Sequence, residues 1–351
     1  MFLVLFPAST LIIALVLDVV FGDPPNRVHP VVWMGSYIAL LWRRRPQGAG
    51  AKSARPRGAD AGEDRPVPGR RGGAGANAAR EAQLLYGTVV VLSGLVLFTA
   101  PWTVLLAISL PLYWLWSAPA LKTTFAMRSL LRAVARVRTA LEAGDVGAAR
   151  ELAARHLVSR DTSRLSPPLV AAAAIESLAE NVTDGLTAPL LYFSLLGLPG
   201  AWGYRFCNTC DSMLGYRDAE HEWGGKFAAR LDDLLGWIPA RLTGGLIVVA
   251  ALLTGEDAAG AWRTMLGQHG RTASPNAGWT MAAMAGALSV TLEKVGVYRL
   301  EGGEAPLNAG TLRRAERVAR GAFLLVSAGA ALLLVVLTGL LGRGYVEALF
   351  I

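Results

Sequence analysis

Long apolar runs, broken by short polar stretches, set the pattern of this chain. Residues 2–21, FLVLFPASTLIIALVLDVVF, form the first run, close to the ~20 residues that a helix needs to cross a bilayer. The run has no basic n-region and no small-residue cleavage site, so it reads as a retained anchor and not as a signal peptide. Residues 84–118 are too long for one span and carry Pro101 near the middle, which predicts a helical hairpin breaking at Pro101. The Trp/Tyr cluster at 113–116 suits an interfacial anchor. Further runs lie at 190–206, 234–254, 277–290 and 321–342, and only the last is clean. The first of these holds Gly197, Pro199 and Gly200, the second holds Pro239 and Arg241, and the third is short. A bare Arg at mid-bilayer costs roughly 2.5–3.5 kcal/mol, so such segments read as re-entrant or cavity-lining helices. The parity of crossings after residue 190 stays open.

The polar positions inside this apolar background carry the candidate chemistry. Arg128, Arg132 and Arg136 stand at i, i+4 and i+8, an ordinary solvated or lipid-headgroup face. In AAAAIESLAENVTDGLTAPLL, residues 171–191, Glu176, Glu180 and Asp184 recur every four residues. Ser166 is the expected N-cap, Pro167 suits the first turn, and Gly185 is the expected stop. On a helix the three acids share one face, drifting by only ~40° per step over ~12 Å. No Lys or Arg interrupts residues 165–204, so the stripe lacks local partners. Carboxylates without counter-charges favour a hard cation such as Mg²⁺. On spacing alone that reading stands level with a plain solvated acidic face.

Two more clusters follow. In YRFCNTCDSMLGYRDAEHEWGGKFAARLDDLLGWIPARL, Asn208 and Asp211 are one turn apart, and Asp232 and Asp233 stand between Arg230 and Arg241. Adjacent Asp residues point to different helix faces, so at most one is expected to share a site with Arg230. In RTASPNAGWTMAAMAGAL, Ser274-Pro275-Asn276 predicts a capped turn whose backbone N–H groups and Asn276 could face an anion. Asp18, Asp23 and His29, and Arg160 with Asp161, are polar groups at the edges of apolar runs. The four histidines show no ligand spacing, which argues against a histidine metal site.

Composition sharpens the class. With 53% hydrophobic and only 17% charged residues, the chain does not read as an ordinary soluble protein. The formal charge of +8 sits almost wholly in residues 43–80, which hold ten Lys/Arg against three Asp/Glu. That tract is Gly/Ala/Pro/Arg-rich without aromatics, so a nucleic-acid reading fails, and it has too little apolar surface to order itself. The positive-inside rule places it in the cytoplasm. Cys207 and Cys210 cannot alone complete a tetrahedral zinc site and read as buried apolar residues. The expected fold is all-α: a polytopic integral membrane helical protein with cytoplasmic helical loops, in the cell membrane, with its site facing the cytoplasm. It is read as one domain over 1–351, with 43–83 a disordered basic cytoplasmic insertion. The clusters together imply Mg²⁺-assisted chemistry on a phosphorylated substrate.

Six ordered blocks carry a resemblance over most of the chain: LDVVFGDPPNRVHPVVWMG, SRDTSRL, AIESLAENVTDGLTAPLLYF, YRFCNTCDSMLGYR, AARLDDLLGWIPARLTG and SPNAGWTMAAMAGAL. In this the chain resembles the CbiB/CobD family of cobalamin-biosynthesis membrane proteins. The resemblance implies an adenosylcobinamide-phosphate synthase, joining adenosylcobyric acid to aminopropanol or its phosphate with ATP and Mg²⁺. The resemblance carries the blocks; from residue type, Glu176, Glu180, Asp184 and Asp211 are the expected Mg²⁺ ligands, with Glu180 and Asp233 as catalytic groups and Asp233 as base for the amine. Arg160, Arg230 and Arg241 would contact phosphate, and Asn181, Asn208 and Asn276 would orient substrates. Expected partners are these substrates, membrane lipid and other cobalamin-assembly enzymes. One departure stands out: the family's Gly-Gly-x-x-x-Tyr-Phe-Gly-Glu-like segment reads LEKVGVYRLEGG here. Two rivals are weaker. An AmpE-like signalling paralogue does not need the retained acidic blocks, and a CDP-alcohol phosphotransferase would need Arg where Pro189 stands and Asp in place of Asn181.

Overall fold

The computed structural model describes residues 2–46, 74–216, 218 and 220–350. Most of the basic tract therefore lies outside the described residues. Its C-terminal end does not: residues 74–83, read as part of a disordered insertion, are the first turns of a helix.

The expectation of an almost wholly helical chain holds. The N-terminal run forms α1 (Phe2–Phe21), and α2 (Pro30–Trp42) starts where the His29 ring accepts a hydrogen bond from the Val31 N–H at 3.2 Å. Next come α3 (Ala74–Ile108) and α4 (Leu110–Lys122). The break expected at Pro101 falls instead at Ser109, whose φ of −155° leaves the helix. Pro111 then occupies the first turn of α4, where its missing donor costs nothing. Around Pro101 the hydroxyls of Thr99 and Thr103 bond to helix carbonyls, an arrangement that lets an apolar helix run through proline. Of the 113–116 cluster, Tyr113 is buried in the core while Trp114 and Trp116 are exposed.

The polar middle of the chain gives the amphipathic α5 (Met127–Glu142), α6 (Val146–His156) and α7 (Pro167–Val182), followed by α8 (Ala188–Leu214), which kinks at Gly197 (φ 64°). Then come α9 (Lys226–Leu235), α10 (Trp237–Leu253), α11 (Ala258–Gln268), α12 (Ala277–Leu288) and, at the end, α13 (Ala309–Phe350). The α12 helix is buried along its length, as its small residues permit.

Between α12 and α13 lies an element the apolar pattern did not predict. Strands β1 (Thr291–Lys294) and β2 (Tyr298–Glu301) pair antiparallel, with Leu292 opposite Leu300 and Lys294 opposite Tyr298. Their short turn needs Gly296 at φ 74°. This is the LEKVGVYRLEGG segment, residues 292–303.

Two helices, Asn77–Ile108 and Ala309–Leu341, are long and apolar enough to cross a membrane, and α9 with α10, bent by 47°, makes a third if counted as one span. That supports membrane association. Among the described residues two large apolar cores form, with a small third cluster at Ala251, Ala261 and Ala287. One is built on α5, α7, α10, α12 and the start of α13; the other on α1, α2, α3, α4 and α8. Val182 belongs to the first and Leu186 to the second, so the chain passes between them at Asp184.

Candidate active site

Gly185 does not stop the acidic helix. Thr183–Thr187 form a π-turn that leads straight into α8. Its widened turn is held by the Thr187 hydroxyl, which donates to the Val182 carbonyl at 2.9 Å. Such π-turns insert one residue and re-aim the side chains around it. Glu180, Thr183 and Asp184 consequently face a cleft of about 230 Å³, closed by α8, α9 and the start of α12.

The cleft collects acids from three separate stretches: Glu180 and Asp184, Asp211 of α8, and both Asp232 and Asp233 of α9. Both members of the adjacent pair line the cleft, which wraps the helix widely enough to meet both; Arg230, with which at most one was expected to share a site, does not line it. Gly215 makes room here, since a Cβ there would stand 2.0 Å from Asp211 Oδ1. Asp184 Oδ1 accepts a hydrogen bond from the Tyr204 hydroxyl at 3.3 Å. Asn208 Nδ2 donates to Asp232 Oδ1 at 3.4 Å, while Asn208 Oδ1 accepts from Arg205 Nη1 at 3.5 Å. Among the described residues, Glu180, Asp184, Asp211 and Asp232 have no ion-pair partner. Burial, and then the charge of Glu176, push the Glu180 carboxyl up to about 7. Burial, and then Glu180, do the same for Asp184, also to about 7. Burial followed by the charge of Asp233 raises Asp211.

Opposite the acids sits Asn276, which is 8% exposed. Its Nδ2 donates to the Asp233 carbonyl at 2.8 Å, and Gly236 admits it, because a Cβ there would come within 2.6 Å of Nδ2. Among the described residues its Oδ1 has no hydrogen-bond partner, and neither does Oγ1 of the buried Thr183. Orphaned buried polar atoms cost free energy, and where they line a cleft an ion, water or substrate group can complete the bonding. The backbone N–H groups of Asn276 and Ala277, expected to face an anion, are already taken by Ser274 Oγ at 3.2 and 3.3 Å.

The remaining predicted residues lie outside the cleft lining. Glu176 is not partnerless: Arg160, just upstream of the stretch without cations, bonds it at 3.0 Å, and Lys294 and Tyr298 of the hairpin stand near it. Asn181 Nδ2 donates back to the Ser177 carbonyl of its own helix at 2.9 Å. Arg230 is exposed. Arg241 lies over the rings of Trp237 and Trp279 at 4.0 and 4.8 Å and donates to the Trp237 carbonyl. Cys207 and Cys210 are free and buried, as expected. Residues near the cleft that were given no role from sequence are Asp232, Thr183, Tyr204 and Arg205. Of these Asp232, in the acidic pair with Asp233, and Arg205, just beyond the 165–204 stretch, carried a sequence signal.

Among the described residues no three His, Cys, Asp or Glu side chains converge tightly enough to cage a metal ion. The donor set still fits Mg²⁺, which takes one or two carboxylates and completes its shell with water and substrate phosphates. Unpaired, proton-retaining carboxyls beside orphaned Oδ1 and Oγ1 atoms are the observation that supports this fit.

Comparison with known proteins now bears on the same residues. The profile of the family described as CobD/Cbib protein matches residues 11–326. The chain belongs to the CobD/CbiB family. Over 294 residues it is 44% identical to the cobalamin biosynthesis protein CobD of Dehalococcoides mccartyi, covering 82% of this chain and 85% of that one. Over 292 residues it is 42% identical to the probable cobalamin biosynthesis protein CobD of Methanothermobacter thermautotrophicus, covering 83% and 86%. No solved structure matches. The matched region of the family holds every cleft residue named above.

Proposed function

We propose that the protein acts in cobalamin biosynthesis as an ATP- and Mg²⁺-dependent carbon–nitrogen ligase. It would join adenosylcobyric acid to (R)-1-amino-2-propanol O-phosphate, or to aminopropanol itself, giving adenosylcobinamide phosphate or its alcohol counterpart. The protein would be a polytopic membrane enzyme whose cleft opens to the cytoplasm. One observation carries the reading: four carboxylates without ion pairs share a cleft with two orphaned buried polar atoms, within a family whose relatives are named for cobalamin biosynthesis.

A carboxylate is a poor electrophile, and ATP supplies the leaving group that makes it reactive. Bound Mg²⁺ would neutralise charge on the phosphates; Glu180, Asp184 and Asp211 are its candidate holders. Asn276 Oδ1 and Thr183 Oγ1 would accept and orient polar groups of the substrates. As the amine attacks the activated carboxyl, Asp233 would take the proton that nitrogen loses. Asn208, itself held by Arg205, keeps Asp232 in place beside Asp184.

The test is direct. Purified protein is incubated with adenosylcobyric acid, aminopropanol phosphate, ATP and Mg²⁺, and the amide product is followed by mass spectrometry. Product that vanishes when either ATP or Mg²⁺ is left out supports the reading. No amide with either amine, from protein that is folded, overturns it.

A further inference from the structure

A second groove, of about 440 Å³, lies away from the cleft, between the end of α1, the first half of α5 and α13. Its walls are apolar: Val19, Met127, Leu131, Phe323 and Leu324. Its rim is cationic: Arg128, Arg132 and Arg320. Asp18, the one carboxylate in the lining, is already engaged by Lys122 at 3.0 Å and by the Arg128 N–H at 3.0 Å. Arg320 pairs with Glu316, which also holds Arg138. Among the described residues Arg132 has no acidic partner, and it is exposed.

The surroundings show what this combination faces. On α1 the side chains of Ile12, Ile13, Val16, Val19 and Val20 are all at least half exposed. On α13 no charged residue occurs from 321 to 342, and Leu324, Leu332 and Val335 are exposed. The two apolar faces end together, and the groove sits where they end. On the other side of Gly22, the indoles of Trp33, Trp102 and Trp116 line a neighbouring apolar recess. Guanidinium groups and indoles lining neighbouring recesses beside exposed aliphatic faces fit a membrane–water interface.

We propose that this groove binds an anionic phospholipid, with the phosphate on Arg128 and Arg132 and one acyl chain against Val19, Leu131, Phe323 and Leu324. The inference rests on membrane association but not on the ligase reading, since no groove residue lines the acidic cleft. Charge complementarity selects the headgroup, because a zwitterionic lipid offers the arginines no net charge. The apolar floor selects a lipid over free phosphate.

The full-length protein in a neutral detergent is titrated with phosphatidylglycerol or phosphatidylcholine, and bound lipid is read by native mass spectrometry. Phosphatidylglycerol is expected to be retained selectively, with binding weakened by added salt. Arg132→Gln, at an exposed position that folding tolerates, should weaken it about five-fold, the loss expected for one arginine at a membrane surface. Arg136→Gln, on the same helix but outside the groove, should leave it unchanged. Equal retention of both lipids, equal losses in the two variants, or full competition by inorganic phosphate would each overturn the proposal. Amide synthesis in detergent, with and without the lipid, separates a failure here from a failure of the ligase reading.

Discussion

Glu256 and Glu316 are nearly inaccessible carboxylates, and each is held by two arginines: Arg314 and Arg317 at 2.5 and 2.9 Å, Arg138 and Arg320 at 2.8 and 3.2 Å. Glu180 and Asp184, on the far side of the first core, have no such partner among the described residues. The contrast teaches how to read a buried acid in this fold. Where the charge serves structure, it is neutralised in place. Where it is left bare, its carboxyl holds its proton more tightly, and the free energy lost to folding is kept for a ligand. Glu176 stands between the two cases: it belongs to the acidic stripe by spacing and to the paired group by its bond to Arg160.

The largest test of that contrast exchanges the two kinds of acid. Asp184→Asn should lower kcat by about 10²–10³, the scale of losing one electrostatic contact in a catalytic site, with the thermal midpoint unchanged or raised. Glu316→Gln should do the opposite. It takes the shared acid from Arg138, which keeps Glu142, and from Arg320, costs roughly 1–2 kcal/mol of stability in denaturant unfolding, and leaves kcat intact in the folded fraction. If Asp184→Asn destabilises as Glu316→Gln does, the acids of the cleft are structural after all.

A smaller effect belongs to Gly236. Gly236→Ala should push the Asn276 amide away from the Asp233 carbonyl, raising KM several-fold while circular dichroism stays unchanged.

The subtlest prediction concerns pH. Glu180 and Asp184 titrate near 7 when folded, against ordinary values of 4.5 and 3.8. The folded state therefore binds more protons than the unfolded one between these limits. Metal-free protein should lose stability progressively as pH rises from about 4 to about 7 and then level off. Mg²⁺ should recover part of that loss at pH 8, and Glu180→Gln should flatten the profile, both read as thermal midpoints in chelator and in Mg²⁺. A profile that rises with pH in the chelator would contradict the assignment of bare acids.

Much of the fold was legible because apolar runs are local facts. Residues 2–21 and 321–342 read as helices and are helices, and the apolar run that holds Arg241 is the helix α10, bent by 47° from α9. Pro101 misled, because a helix in apolar surroundings closes around proline when nearby Thr hydroxyls bond to its carbonyls. The hairpin was invisible for a different reason. Four-residue strands give too short a pattern, and Leu292 and Leu300 gain their meaning only when opposed. In the site, the acids at 180, 184, 211 and 233 and Asn276 were found by type and isolation. Arg230 and Arg241 stand beside the acids in sequence, yet helix direction carries them out of the cleft lining.

By itself the sequence determined that this chain is helical, rich in apolar segments, acidic where it should be apolar, and a member of the CobD/CbiB family. These properties follow from residue type and spacing along one element. Which acids are bare and which are paired was decided only by the tertiary structure. Pairing depends on what crosses from another element within a few ångströms, as Arg160 does to Glu176 and Arg138 to Glu316. The π-turn at 183–187 made the same kind of choice, since one extra residue in a turn sends Asp184 into the cleft beside Asp211 and Asp232.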